Sequence, residues 1–578
     1  MLNFLTPKTK TYLENIIESS DSLSLLNTEL EEKTGVVRFF PNSSSMDEFT
    51  KFLSHSHQHY VPPRDRGDFQ TPLDLAQRIC QLLLADKINP KVMVEPTCGA
   101  GSFVLAALDV FPDLSMIYAV EVRQEYVWTL KIHLLERSFH HSTSVKIQVV
   151  VDDIFAHSFP AELLTLVEDS HNHLLVLGNP PWVTNSQLSR LGSTNLPTKH
   201  NLKSLRGLDA LTGMANFDIA ENIILRMAKQ FSGPNAFLAM LCKTNVARNL
   251  TKDMTKLGLA FGSSRCLVVD AKRHFGINAD ACLYITALLT KEPTKQVRVG
   301  FLDTPTVVER TFGMVGDVFV ADIDLYNSQR HLDGLCPLEW RQGVKHDAAK
   351  VFVLHRTEEG LKNGYGDLVE VEEDLLYPFL KGSQLRLPVI HETDKLLLVP
   401  QQVVGQDTTY IREKYPLTWH YLTSYGDQLD KRGSVVYKGK PKFSIFGVGK
   451  YAFKPYKVAI AGMYKDPIFS FIPPSKGKPV MLDDTSYYLS FDSPQEAGLV
   501  WSLWRRPEVA QLLEALVWRN SKRPYTKQLL MRVSIDRLAH SLTFEGLRKE
   551  LALLPTNQPT EKTLEKFLGK HRLPSYQT

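Results

Sequence analysis

Cysteine is scarce in this chain: six residues among 578, Cys80, Cys98, Cys242, Cys266, Cys282 and Cys336, with no CxxC pair. That scarcity excludes a disulfide-stapled scaffold and a zinc module, leaves no metal-ligand set, and fits reduced thiols in a prokaryotic cytoplasm. No apolar run approaches the roughly 20 residues a membrane span requires. The opening residues Met1 to Lys8 lack the charged, apolar, small order of a secretory signal. Excess charge is missing too. With 67 Lys+Arg against 63 Asp+Glu the formal net charge is +4, so only the distribution of charge can point to a partner. There is no internal repeat and no low-complexity tract. What remains is an ordinary folded composition, 43% hydrophobic and 22% charged, long enough for about two to four domains.

Residues 1–67 are polar, with one amphipathic helix expected near Thr11–Ile17 and a Ser-rich patch at Asn42–Ser45. His55, His57 and His59 alternate, but they precede Pro62-Pro63 and have no cysteine nearby, which disfavours a metal site. From residue 68 the texture changes. Lys91–Glu95, Ser115–Glu121, Val145–Val151, His173–Leu177 and Ala236–Leu241 read as five strands separated by helical stretches such as Phe103–Val110. Short β-branched runs alternating with helices predict a doubly wound α/β domain over 68–300. The remainder, 301–578, reads as an α+β domain ending in a helical stretch near Pro494–Val517.

Between the first strand and first helix stands Glu95-Pro96-Thr97-Cys98-Gly99-Ala100-Gly101-Ser102-Phe103. Gly99 and Gly101 would let backbone approach a ligand closely. A dinucleotide loop would want GxGxxG, but Val104 occupies the third glycine position; a P-loop would want GK[ST], which is absent. Glu95 beside the loop repels phosphate and suits a cation. Glu121 ends the second strand, where a carboxylate can accept ribose hydroxyls. Asp152-Asp153 follows the third strand, where an acid can accept from an adenine amino group. Acids in order at successive strand ends point to a cofactor with adenosine, a cationic centre and no phosphate. S-adenosylmethionine fits.

Asn179-Pro180-Pro181-Trp182 follows the fourth strand directly. Two prolines cannot extend a parallel ladder, because each lacks an N–H. They stiffen the turn and free the Pro180 carbonyl. The Asn179 amide and that carbonyl would converge as two acceptors on one exocyclic amino group, and Trp182 could stack on its base.

Three segments resemble a known family. Glu95–Phe103 resembles motif I of class I S-adenosylmethionine-dependent methyltransferases. Asn179–Trp182 resembles motif IV of the amino-methylating DNA methyltransferases. Phe69-Gln70-Thr71-Pro72 resembles their motif X, whose Thr-Pro touches the methionine part of the cofactor. The motif order, with a large C-terminal region following, resembles the γ class of adenine-N6 DNA methyltransferases. The resemblance implies a Rossmann-like domain holding S-adenosylmethionine through Thr71, Glu95, Pro96, Cys98, Gly99, Gly101, Glu121 and Asp153. It implies Asn179, Pro180, Pro181 and Trp182 as the catalytic set, acting on a flipped base. The family's second stacking aromatic falls on Phe275 or Tyr284.

In the C-terminal half, Lys431–Lys465 holds nine Lys or Arg and no Asp or Glu, interleaved with Tyr437, Phe443, Phe446, Tyr451, Phe453, Tyr456 and Tyr464. A second basic run spans Trp518–Lys527. Lys438, Lys440, Lys442, Lys450, Arg519, Lys522 and Arg523 are the expected contacts to double-stranded DNA. Leu376–Ser383 resembles a segment of restriction-modification recognition domains. The expected activity is site-specific methylation of adenine N6 by a monomer. Cytosine N4 remains open, as do RNA and protein glutamine. A cytosine-C5 enzyme would need a nucleophilic Cys after proline, and no Pro-Cys dipeptide exists. The stretch ahead of Phe69 is short for a nuclease domain, so a cognate restriction endonuclease would act as a separate protein.

Overall fold

Short runs rich in Val, Ile and Leu form the parallel centre of one sheet: β1 (Val92–Glu95), β2 (Met116–Glu121), β3 (Lys146–Val151), β4 (Leu174–Gly178) and β5 (Ala236–Lys243). The computed structural model describes residues 5–54, 69–168, 173–183, 218–288, 292–554 and 558–571. In it these strands lie in the order β3-β2-β1-β4-β5, all parallel. Every residue of β1 and β4 is buried, as expected of parallel strands covered on both faces. Strand order reverses between β1 and β4, which opens a crevice at their carboxyl ends.

The sheet then continues further than the sequence suggests. Added to it are β6 (Ser264–Asp270), β7 (Asp280–Ala287), β8 (Gln296–Phe301), β9 (Arg310–Val315) and β10 (Val318–Val320). β7 inserts antiparallel between β5 and β6, and β9 runs antiparallel to β8, so the ten-stranded sheet is mixed. Helices Thr244–Asp253 and Ala271–Phe275 still separate β5, β6 and β7, but from β7 onward short connections join the strands and the strand–helix alternation ends. The chain divides into two compact units, Met1–Phe319 and Val320–Thr578. A boundary at 300 would fall inside β8.

Residues 5–54 hold three helices, not one: α1 (Pro7–Ser19), α2 (Leu23–Thr34) and α3 (Ser43–Ser54). The Ser-rich patch is a helix start, where Asn42 Oδ1 accepts from the Ser45 amide at 2.9 Å. Val36 bridges Ile147 on the outer strand β3. Phe39, Phe40 and Phe49 pack edge-on together, and Phe49 meets Trp128 of α6 (Gln124–Ser138) at 6.2 Å. Residues 5–54 therefore cap one end of the sheet. The histidines at 55, 57 and 59 lie outside the described residues.

The second unit holds two small sheets. One orders Arg341–Gln342, Ser486–Phe491, Tyr456–Ala461 and Phe469–Ile472; the other orders Gly360–Lys362, Val353–Thr357, Lys395–Leu398, Leu376–Leu380 and Met481–Leu482. Trp340, Phe469 and Trp504 interlock in its core. The expected C-terminal helical stretch is two helices, Pro494–Trp504 and Pro507–Leu516, parted where Pro507 disfavours helical backbone at Arg506. No helix among the described residues is long and apolar enough to cross a membrane.

Candidate active site

The glycine loop between β1 and α5 (Ser102–Val110) is shaped by two left-handed residues, Gly99 at φ +52° and Gly101 at φ +87°. A β-carbon on Gly99 would lie 2.4 Å from Gln70 Oε1, and one on Gly101 would lie 2.2 Å from Leu130 Cδ1. Both positions therefore require glycine, for different reasons. Gly99 lines a cavity of about 330 Å³ at the carboxyl ends of β1, β2 and β4, whereas Gly101 is absent from its lining and turns toward α6. A side chain at Gly101 would meet Leu130 on the far side of the loop from the cavity. Cys98 lines the cavity with Pro96, and its amide donates to Val120 O at 2.9 Å, tying the loop to β2.

The segment ahead of α4 (Leu73–Ala85) closes the loop from the other side. The Ala100 amide donates to Gln70 Oε1 at 2.9 Å, and Ser102 Oγ donates to the Thr71 carbonyl at 2.6 Å. Gln70 is a residue that sequence reasoning missed, since a polar side chain thirty positions upstream carries no spacing signal. Ile219 and Ile223, from the helix Ile219–Gln230, also line the cavity unforeseen.

Four acids line this cavity, Glu95 and Glu121 at the ends of β1 and β2 and the pair Asp152-Asp153 just past β3. Glu121 accepts from the Gly99 amide at 2.9 Å and the Arg123 amide at 3.0 Å. Asp153 accepts from the Phe155 amide at 3.0 Å. Its neighbour Asp152 lies 2.8 Å from His157 Nδ1, whose other ring nitrogen is 3.1 Å from the Tyr118 hydroxyl. Glu95 differs from these: it is 2% exposed, and its Oε2 has no hydrogen-bond partner among the described residues. Burial, then the nearby Glu121 charge, push its carboxyl well above the usual range, against one favourable bond from the Val104 backbone. A buried, incompletely satisfied carboxylate beside a second one is a site for a cation. Apolar walls from Phe103, Ile154 and Phe155 complete a pocket suited to a sulfonium carrying an adenosine.

Asn179, just past β4, donates its side-chain N–H to Phe69 O at 2.9 Å and to Thr71 Oγ1 at 3.2 Å. Its Oδ1 is buried with no hydrogen-bond partner among the described residues. Pro181 lines the cavity, while Pro180 and Trp182 do not. Trp182 is 4% exposed and donates its indole N–H to Leu241 O at 3.3 Å. Its ring meets Phe275 edge-on at 5.2 Å and Phe69 at 5.9 Å. Phe275, half-buried at the end of the short helix Ala271–Phe275, thus joins the motif IV aromatic, whereas Tyr284 is fully buried in β7 against Phe261.

The sequence is 35% identical over 479 residues to the type II methyltransferase M.NspV from a Nostoc species, spanning 82% of this chain and 97% of that relative. The chain belongs to the type II restriction-modification DNA methyltransferases. S-adenosylmethionine is accordingly its cofactor. No family model matches this methyltransferase. Among solved structures, the type IIL restriction-modification enzyme MmeI superposes with a TM-score of 0.44 at 13% identity, covering 86% of this chain and 72% of that one. The type IIG restriction endonuclease BpuSI superposes with a TM-score of 0.35 at 13% identity, covering 86% and 62%.

In the second unit of the methyltransferase, Lys438, Lys440, Lys442, Lys450, Arg519 and Lys522 are exposed and Arg523 is half-buried. Arg519 pairs with Glu514 at 2.7 Å, and Arg523 donates to the Asp484 carbonyl at 3.2 Å. The interleaved aromatics mostly turn inward: Phe443 is buried, and Tyr451 and Phe453 pack against the same apolar core. Tyr456 begins a strand hydrogen-bonded on both sides. These rings stabilise the unit, while the lysines of the stretch face solvent.

Proposed function

We propose that this methyltransferase acts on adenine N6 in duplex DNA, with the target base flipped out of the helix. The supporting observation is Asn179: its N–H groups are occupied by Phe69 O and Thr71 Oγ1, which leaves a buried acceptor, Oδ1, without a partner among the described residues at the cavity. An acceptor fixed from behind suits an amino group. Asn179 Oδ1 and the Pro180 carbonyl accept its two N–H bonds, which draws the nitrogen lone pair out of conjugation with the ring. Phe275, held by Trp182, provides a stacking face for the base.

When bound, S-adenosylmethionine supplies an electrophilic methyl group. Glu95 sets the cationic end of the cavity, with Thr71, Pro96, Cys98 and Gly99 around it. Glu121 and Asp153 take the ribose and adenine, and Gly101 supports the loop through α6. The second unit recognises the DNA sequence, with its exposed lysines on phosphates. The protein works as a monomer, and a cognate restriction endonuclease acts separately.

Mass spectrometry of digested DNA from a host expressing the protein tests this reading. N6-methyladenine is expected. N4-methylcytosine would transfer the same acceptors to a different amino group. Methylated RNA or protein glutamine without a modified DNA base would overturn the substrate.

A further inference from the structure

We infer that the turn Val435–Tyr437 is the tip of a DNA-reading arm, whose valines enter a groove and touch base edges while the lysines behind it hold phosphates. The inference rests on the duplex-DNA reading above and adds the element that touches bases. Val435 is 72% exposed and Val436 40% exposed, side by side on a single 3-10 turn. Val307-Val308 and Val403-Val404 are adjacent exposed pairs too, but Val435 is the most exposed of these valines and its pair is followed closely by Lys438, Lys440 and Lys442.

The base of the arm is rigid. Arg432 donates to the carbonyls of Leu429 at 2.8 Å, His346 at 3.2 Å and Ser444 at 2.7 Å. Its guanidinium also lies 3.8 Å from the Tyr437 ring centre, and Tyr437 meets Phe446 at 5.4 Å. A second loop buttresses the first. Gln401, 1% exposed, accepts from the Ile445 amide at 3.2 Å and donates to the Ile445 carbonyl at 3.1 Å. Thr408 Oγ1 donates to the Lys442 carbonyl at 2.6 Å. An arm held this firmly has paid its ordering entropy before binding.

Charge chooses the partner. Lys438, Lys440 and Lys442 follow the tip at alternate positions, all exposed and none with an ion-pair partner among the described residues. By contrast, Lys454 further along is paired with Asp492 at 2.8 Å. Uncompensated cations behind an apolar tip match a polyanion with apolar features inside its grooves. Duplex DNA offers both, and the thymine 5-methyl is the apolar group a valine can read. A second copy of this chain would bring the same lysines against themselves.

The test compares V435S/V436S with K438A/K440A/K442A by fluorescence anisotropy. The probes are a duplex carrying the motif found methylated in the expressing host and a scrambled duplex of equal composition. All five side chains are exposed, and circular dichroism checks that each variant folds. The serine variant should bind the motif duplex about ten-fold more weakly, the size of one lost base contact, with its salt slope and its scrambled-duplex affinity unchanged. The lysine variant should weaken both duplexes alike and flatten the slope of log K against log salt by roughly 0.9 per lost contact. Unchanged motif affinity in the serine variant would overturn the inference while the lysine result leaves the DNA reading standing. A change of oligomeric state in the serine variant would also overturn it, assigning the tip to a protein contact. No binding of either duplex by the parent protein would remove the DNA reading itself.

Discussion

Gly101 and Leu130 are in van der Waals competition: a β-carbon on the glycine would sit 2.2 Å from Leu130 Cδ1. The cofactor loop is therefore shaped by α6 behind it as well as by the ligand in front. Gly101→Ala should lower the melting temperature and S-adenosylmethionine affinity together, because strain at φ +87° and the clash act on the same turn. Left-handed backbone costs an ordinary residue about 1–2 kcal/mol, and the clash adds to it. Adding Leu130→Ala to Gly101→Ala should cost less than the two single changes summed. Strict additivity in a thermal double-mutant cycle would show that the contact does not shape the loop.

Glu95 gives a pH dependence with a definite sign. Its carboxyl is held well above the ordinary 4.5 by burial and by Glu121. The folded protein thus binds this proton more tightly than the unfolded chain. That contribution to stability is complete below 4.5 and is lost as pH rises through the raised folded value. Glu95→Gln removes the titration, so the ligand-free variant should lose less stability than the parent as pH rises above that point. The same substitution should weaken S-adenosylmethionine binding at least ten-fold by calorimetry, since the unpartnered oxygen is where a cation gains most. A variant with parental affinity would detach Glu95 from the cofactor.

That these acids share one cavity was legible in the sequence because each follows a β-branched run, and the end of a parallel strand is where a doubly wound fold places ligands. The layers behind them were not. Gln70 bonds the Ala100 amide, and Leu130 excludes a side chain at Gly101, through contacts that spacing does not encode. Phe275 and Tyr284 are equivalent as letters. Their surroundings differ: Tyr284 lies opposite Cys266 and Met240 in the sheet interior, and Phe275 lies beside Trp182. The role of the aromatic residues in Lys431–Lys465 was open in the sequence for the same reason. Tyr456–Ala461 pairs with strands from both directions, so its apolar residues fill a core.

Phe275 should therefore matter and Tyr284 should not. Phe275→Ala is expected to lower methyl transfer by ten-fold or more while leaving S-adenosylmethionine affinity intact, and Phe275→Trp should restore most of it. Base stacking on an aromatic is worth about 1–3 kcal/mol, which covers that range. Tyr284→Phe should be silent in turnover. Steady-state kinetics on methylatable DNA separates the two positions. Equal losses at both would return the second aromatic to an open question of strand packing.

Asn179 carries the heaviest prediction, because its two ends have separable tasks. The nitrogen end anchors the turn to Phe69 and Thr71, and the oxygen end is the free acceptor. Asn179→Ala removes both, and methyl transfer should fall by about 10²-fold or more, the effect of losing one preorganised acceptor worth about 2.7 kcal/mol. Thr71→Val removes only one anchor bond and keeps the acceptor. It should cost far less, and mainly in cofactor affinity, since Thr71 lines the cavity. Single-turnover methylation with saturating cofactor and DNA isolates the chemical step from binding. If Thr71→Val and Asn179→Ala slow that step equally, Asn179 acts by holding the turn. If Asn179→Ala is fully active, the amino group is not activated at this residue.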